Sequence, residues 1–81
     1  MSYGFHMRTQ ADGEAIRRLR EEKGLTFDGL ALLSGVSKAH VWRLENETRL
    51  GSATTRKKLA DALGVAVADI SKPVPRQRQA V

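Results

Sequence analysis

Residues 30–46 read LALLSGVSKAHVWRLEN, and this stretch decides the fold. Leu30, Ala31 and Leu33 form an apolar stripe that predicts one helix. Val41 and Leu44 stand three apart and predict the inward side of a second. Gly35 ends the first helix and Ser37 caps the next. Ala31, Gly35 and Val41 are separated by four and then six residues. Two helices that cross steeply need a small residue at their contact, which Ala31 supplies. The tight turn between them needs positive φ, which glycine adopts without strain. Val41 and Leu44 then pin the second helix to a core, and its other side is left open.

Upstream, Asp12 caps a helix over about 12–23. Ala15, Ile16 and Leu19 fall on its inner face, Glu14 sits in its first turn, and Gly24 stops it. Thr26 caps the helix that carries Leu30, and Gly29 weakens that helix by roughly 1 kcal/mol relative to alanine. Downstream, 46–51 reads as a loop. Ser52 opens a fourth helix that ends at Leu63, with Leu59, Ala60 and Leu63 inward and Gly64 as its stop. Val65, Val67 and Ile70 complete the core on a short fifth helix near 67–70. Pro73 and Pro75 close off regular structure. The expected architecture is all-α, a compact five-helix bundle with no strand. Residues 1–11 form a flexible arm, 12–70 the domain, and 71–81 a basic, mobile tail.

The chain has 81 residues, enough for one domain. It has no cysteine, which excludes disulfides, thiolate metal sites and a cysteine nucleophile. No apolar run approaches the roughly 18 residues of a membrane span, and no signal-like segment follows the start, so a cytoplasmic location is expected. The net charge is +5 and is unevenly spread. Residues 38–58 hold Lys38, Arg43, Arg49, Arg56, Lys57 and Lys58 against only Glu45 and Glu47. Residues 12–37 are close to balanced, and 71–81 carry Lys72, Arg76 and Arg78 with no acid. Segregation of this kind suggests a side that docks on phosphate. The pair of helices around Gly35 is a helix-turn-helix, whose free face suits a major groove.

Three blocks, IRRLREEKGLT at 16–26, LALLSGVSKAHVWRLEN at 30–46 and LADALGV at 59–65, occur in order and resemble the lambda-repressor/Cro-like (XRE-type) helix-turn-helix family. The resemblance covers about residues 12–70. It implies a five-helix DNA-binding domain, a sequence-specific transcriptional regulator (most simply a repressor) working at the nucleoid. The partner it implies is double-stranded DNA with a palindromic operator, bound by a dimer. A separate dimerisation segment is not expected, so the homodimer should be weak and form mainly on DNA.

Position by position, the resemblance places Lys38, Ala39, Trp42 and Arg43 against bases. Lys38 and Arg43 can donate to guanine O6 and N7, and Ala39 can touch a thymine methyl. Thr26, Phe27 (through its amide), Ser37, His40, Asn46 and Arg49 become candidates for the DNA backbone. Arg20 and Glu45 match positions that form an internal ion pair between helices 1 and 3. The chain departs from the family pattern at Phe27, where glutamine is usual, and at Trp42, where a small polar residue is usual. Glu47 replaces a loop glycine, Gly51 a proline, and Arg56 an apolar residue.

Competing readings accompany these assignments. Trp42 can pack on a thymine methyl or sugar, anchor a protein partner, or fold onto its own surface. Phe27 reads as a small hydrophobic plug or as a contact. The Arg56–Lys57–Lys58 cluster reads as the wet side of a helix or as a phosphate contact. The rival function is a protein-interaction module, such as an antitoxin or recombination accessory factor, using Trp42 and Phe27. His6 and His40 lack a third ligand, so neither metal nor cofactor is expected. No paired carboxylates, Ser/His pair or glycine-rich phosphate loop appears, so an enzyme is not expected.

Overall fold

A computed structural model describes residues 8–47 and 51–74. In chain order these form β1 (Thr9–Ala11), α1 (Gly13–Glu22), α2 (Phe27–Ser34), α3 (Lys38–Asn46), α4 (Ala53–Leu63), a 3₁₀ turn (Val67–Ile70) and β2 (Ser71–Pro73). Each α-helix starts where a short polar side chain takes over an orphan backbone donor. Asp12 Oδ1 accepts from Ala15 N–H at 3.2 Å, and Thr26 Oγ1 accepts from Gly29 N–H at 2.9 Å. Ser37 Oγ accepts from His40 N–H and Ser52 Oγ from Thr55 N–H, both at 3.1 Å. Gly35 ends α2 at φ 79°, in the left-handed region, with its N–H bonded to the Ala31 carbonyl at 2.8 Å.

The core is one cluster built around Ile16, Leu30, Val41, Leu44, Leu59, Leu63 and Ile70, with Leu19, Leu25 and Phe27 packed at its margin. The helices therefore bury only a few side chains each; α2 packs against α3 and α4, and α3 packs against α1.

Three expectations need correction. Among the described residues the bundle has four α-helices; the expected fifth is a single 3₁₀ turn, because four residues ending in the buried Ile70 are too short for an α-helix to gain. The protein also contains strands. β1 and β2 pair antiparallel, Thr9 with Pro73, Gln10 with Lys72 and Ala11 with Ser71. Bonds from Asp12 N–H to the Ile70 carbonyl and from Val74 N–H to the Arg8 carbonyl flank the pair. The stretches read as loose arm and mobile tail thus each supply one strand, with Ala11 buried in the core. Residues 1–7 and 75–81 of those stretches lie outside the described residues.

The third correction is Leu33, expected inward but 61% exposed, beside Leu32 at 85%. The inner face of α2 runs Phe27, Leu30, Ala31 and Ser34, spaced i, i+3, i+4 and i+7 as a helix demands. Leu33 falls outside that stripe. No helix among the described residues is long and apolar enough to cross a membrane.

Candidate nucleic-acid interface

α3 displays the site. Ser37 starts it, and Val41 and Leu44 anchor it, both essentially without solvent contact. The 3.6-residue repeat then turns Lys38, Ala39, Trp42 and Arg43 outward together. These four and Glu47 line one shallow depression. The indole of Trp42 is 46% exposed.

The cations on this face are not equivalent. Lys38 Nζ lies 3.4 Å from Asp28 Oδ2 on the first turn of α2, a wholly surface pair worth little in water. Arg43 has no ion pair or side-chain hydrogen bond among the described residues. The Asn46 amide donates to the Trp42 carbonyl at 3.0 Å, so it folds back along the helix. His40 is half-buried. Arg49 lies outside the described residues.

The starts of α2 and α3 lie close enough for the Asp28–Lys38 bridge. Thr26 and Ser37 each use an oxygen lone pair for capping, which leaves each hydroxyl proton free to donate. A helix start adds unpaired N–H groups and a positive dipole end, both suited to an anion. Asp28 opposes that attraction at α2.

Behind the face sits a buried pair. Arg20 Nε donates to Glu45 Oε2 at 2.8 Å and Nη2 to Oε1 at 3.1 Å, while Nη1 donates to the Leu25 carbonyl at 2.8 Å. The Arg20 side chain is 9% exposed and that of Glu45 1%. The bond to Glu45 raises the pKa of Arg20 above its ordinary value and outweighs the opposing effect of desolvation. Phe27 closes the site: the Arg20 guanidinium stands 4.1 Å from its ring centroid. The Phe27 ring, one of the candidates for a partner contact, is thus engaged within the molecule.

Two further residues hold the frame around α3 and α4 and were not singled out for it by the sequence. Gly13 starts α1 against the last turn of α3. A Cβ there would run into the Leu44 carbonyl oxygen and sit 2.9 Å from that of Glu45. A glycine in the first turn of a helix, where propensity disfavours it, was the available signal. Arg56 was read as wet or phosphate-facing, but it ties α4 to the strand pair. Its Nε donates to the Gly51 carbonyl at 3.0 Å, and Nη1 donates to Thr9 Oγ1 at 2.8 Å and Ser71 Oγ at 3.0 Å. An arginine where an apolar residue is usual was the hint.

Comparison with known proteins points to the same helix-turn-helix fold. A family described as "Helix-turn-helix domain" matches residues 13–72. The HTH-type transcriptional repressor RghR of Bacillus subtilis (strain 168) is 50% identical over 54 residues, 65% of this chain and 40% of its own length. This chain therefore spans about two fifths of that relative. The restriction-modification controller protein C.AhdI from Aeromonas hydrophila superposes with a TM-score of 0.67 at 37% identity, over 70% of this chain and 86% of that one. SinR, the master regulator for biofilm formation, solved in complex with DNA, gives 0.66 at 32% identity, over 69% of this chain and 90% of that one.

Proposed function

This chain belongs to the helix-turn-helix domain family, of the lambda-repressor/Cro-like kind, and from that premise we propose that it is a sequence-specific, double-stranded-DNA-binding transcriptional regulator, most simply a repressor. The observation that carries the proposal is the outward face of α3, which presents Lys38, Ala39, Trp42 and Arg43 together on a helix held rigidly from behind by Arg20 and Glu45. In this reading α3 enters the major groove. Arg43, with no competing partner among the described residues, takes a guanine through its fork, and Lys38 exchanges Asp28 for a base or phosphate. Thr26 and Ser37 donate to backbone phosphates on either side. A dimer places two such helices about 34 Å apart on a palindromic site, within the cytoplasm at the nucleoid.

A titration of mixed-sequence duplex at two salt concentrations tests the reading. Contact with some six phosphates gives a log–log slope of about −5. Lys38→Ala and Arg43→Ala should each relax base preference at one position, at a cost of about 1–3 kcal/mol. Specificity left intact by both would refute the assignment. The exposed Leu32, Leu33 and Trp42 favour the second reading, a protein-interaction module. Absence of DNA binding even at low salt would select it.

A further inference from the structure

We infer that the recognition face reads a 5-methyl group on a pyrimidine, with Trp42 as the specificity-determining residue. This rests on the DNA-binding reading above. The centre of the α3 face is apolar. Ala39 and Trp42 stand three residues apart, hence side by side on the helix surface, and line the same depression. Lys38 and Arg43 flank them, and Glu47 stands at the C-terminal rim of the depression. The polar groups that could otherwise read base edges here are few. Asn46 already donates to the Trp42 carbonyl, Ser37 stands at the helix start where its free proton suits a phosphate, and Lys38 is drawn toward Asp28. Arg43 alone of the two cations has no partner among the described residues.

A half-exposed indole in the middle of such a face has one apolar complement in the major groove. The groove edges of the four bases present donors, acceptors and a single carbon group, the 5-methyl of thymine. Methylation puts the same group on cytosine. The flanking cations supply attraction to the duplex but cannot tell thymine from uracil; the indole and the Ala39 methyl can. The bound half-site should therefore hold a 5-methylpyrimidine close to the guanine taken by Arg43.

The experiment starts with selection of bound sites from a random duplex pool. The chosen site is then remade with uracil at each thymine in turn, and separately with 5-methylcytosine at each cytosine. Affinity is read by anisotropy and by emission of Trp42, the single tryptophan of the chain. Loss of one contacted methyl should weaken wild-type binding about fourfold, the worth of one buried carbon group. Trp42→Ala should narrow the thymine-to-uracil difference to whatever the Ala39 methyl alone supports, well below the wild-type value of about fourfold, with circular dichroism showing the helices unchanged. A thymine-to-uracil penalty identifies thymine as the carrier. A gain on cytosine methylation without such a penalty identifies 5-methylcytosine. Both support the inference. Tight binding to the selected site with neither effect overturns it and leaves DNA binding standing. Failure to bind any duplex overturns both.

Discussion

Replacing Glu45 by glutamine is the sharpest test of how α3 is held. The carboxylate is 1% exposed and receives two hydrogen bonds, at 2.8 and 3.1 Å, from a guanidinium that is itself 9% exposed. Glutamine keeps the shape but sets an NH₂ group against an Arg20 donor. The Leu25 carbonyl still holds Nη1, so the guanidinium cannot swing out to water without losing that bond as well. Leaving one member of a buried pair uncompensated costs about 3–5 kcal/mol. A domain of this size is stable by only about 4–12 kcal/mol, so Glu45→Gln should remove about a quarter of the stability or more. Urea unfolding followed by helix ellipticity measures it directly, and the melting temperature should fall by well over 10 °C. The double change Arg20→Met with Glu45→Leu should cost less than the single one, because a packed apolar pair leaves no orphan charge. A single-variant loss below about 1 kcal/mol, or a double variant that equals the sum of its parts, would refute the reasoning.

Gly13→Ala should destabilise the domain by about 1–3 kcal/mol, since the new methyl group collides with the last carbonyls of α3; an unchanged denaturation midpoint would remove Gly13 from the packing argument. Gly29→Ala should raise stability by about 0.5–1 kcal/mol, because its Cβ meets nothing closer than 3.4 Å and the helix gains propensity. Asp28→Asn should tighten DNA binding at low salt by about two- to fivefold, by freeing Lys38 and removing a negative charge from the α2 start, with the gain fading as salt screens it. Equal affinity of the two proteins at low salt would mean that the Asp28–Lys38 bridge does not oppose the duplex.

What could be read from the sequence was local. Asp12, Thr26, Ser37 and Ser52 cap the four α-helices as expected, because a cap depends only on the next three residues. Val41 and Leu44 face the core for the same reason: one repeat on one helix settles it. The strand pair was not legible. Thr9–Ala11 and Ser71–Pro73 are three residues each and sixty apart, too short to show alternation and too distant to show pairing. Arg56 was obscure for a related reason, since its partners Gly51, Thr9 and Ser71 come from three separate places. The Arg20–Glu45 pair was anticipated only through family resemblance; two charges twenty-five residues apart carry no local mark. Leu33 is obscure in the sequence because its apolar character points inward while its angle on the helix points outward, and α2 is too short for a full repeat to decide between them.

The attachments of α3 are uneven along its length. Its last turn is bolted down by Glu45 and pressed by Gly13, whereas ahead of the buried Val41 its first residue is tied to α2 by a surface bridge at Lys38. Mechanically this is a cantilever, clamped at the heel and yielding at the toe. Base pairs met by the heel should tolerate no substitution, while those met by the toe should accept variants through small tilts. Degeneracy across the bound half-site should therefore run as a gradient from one side to the other.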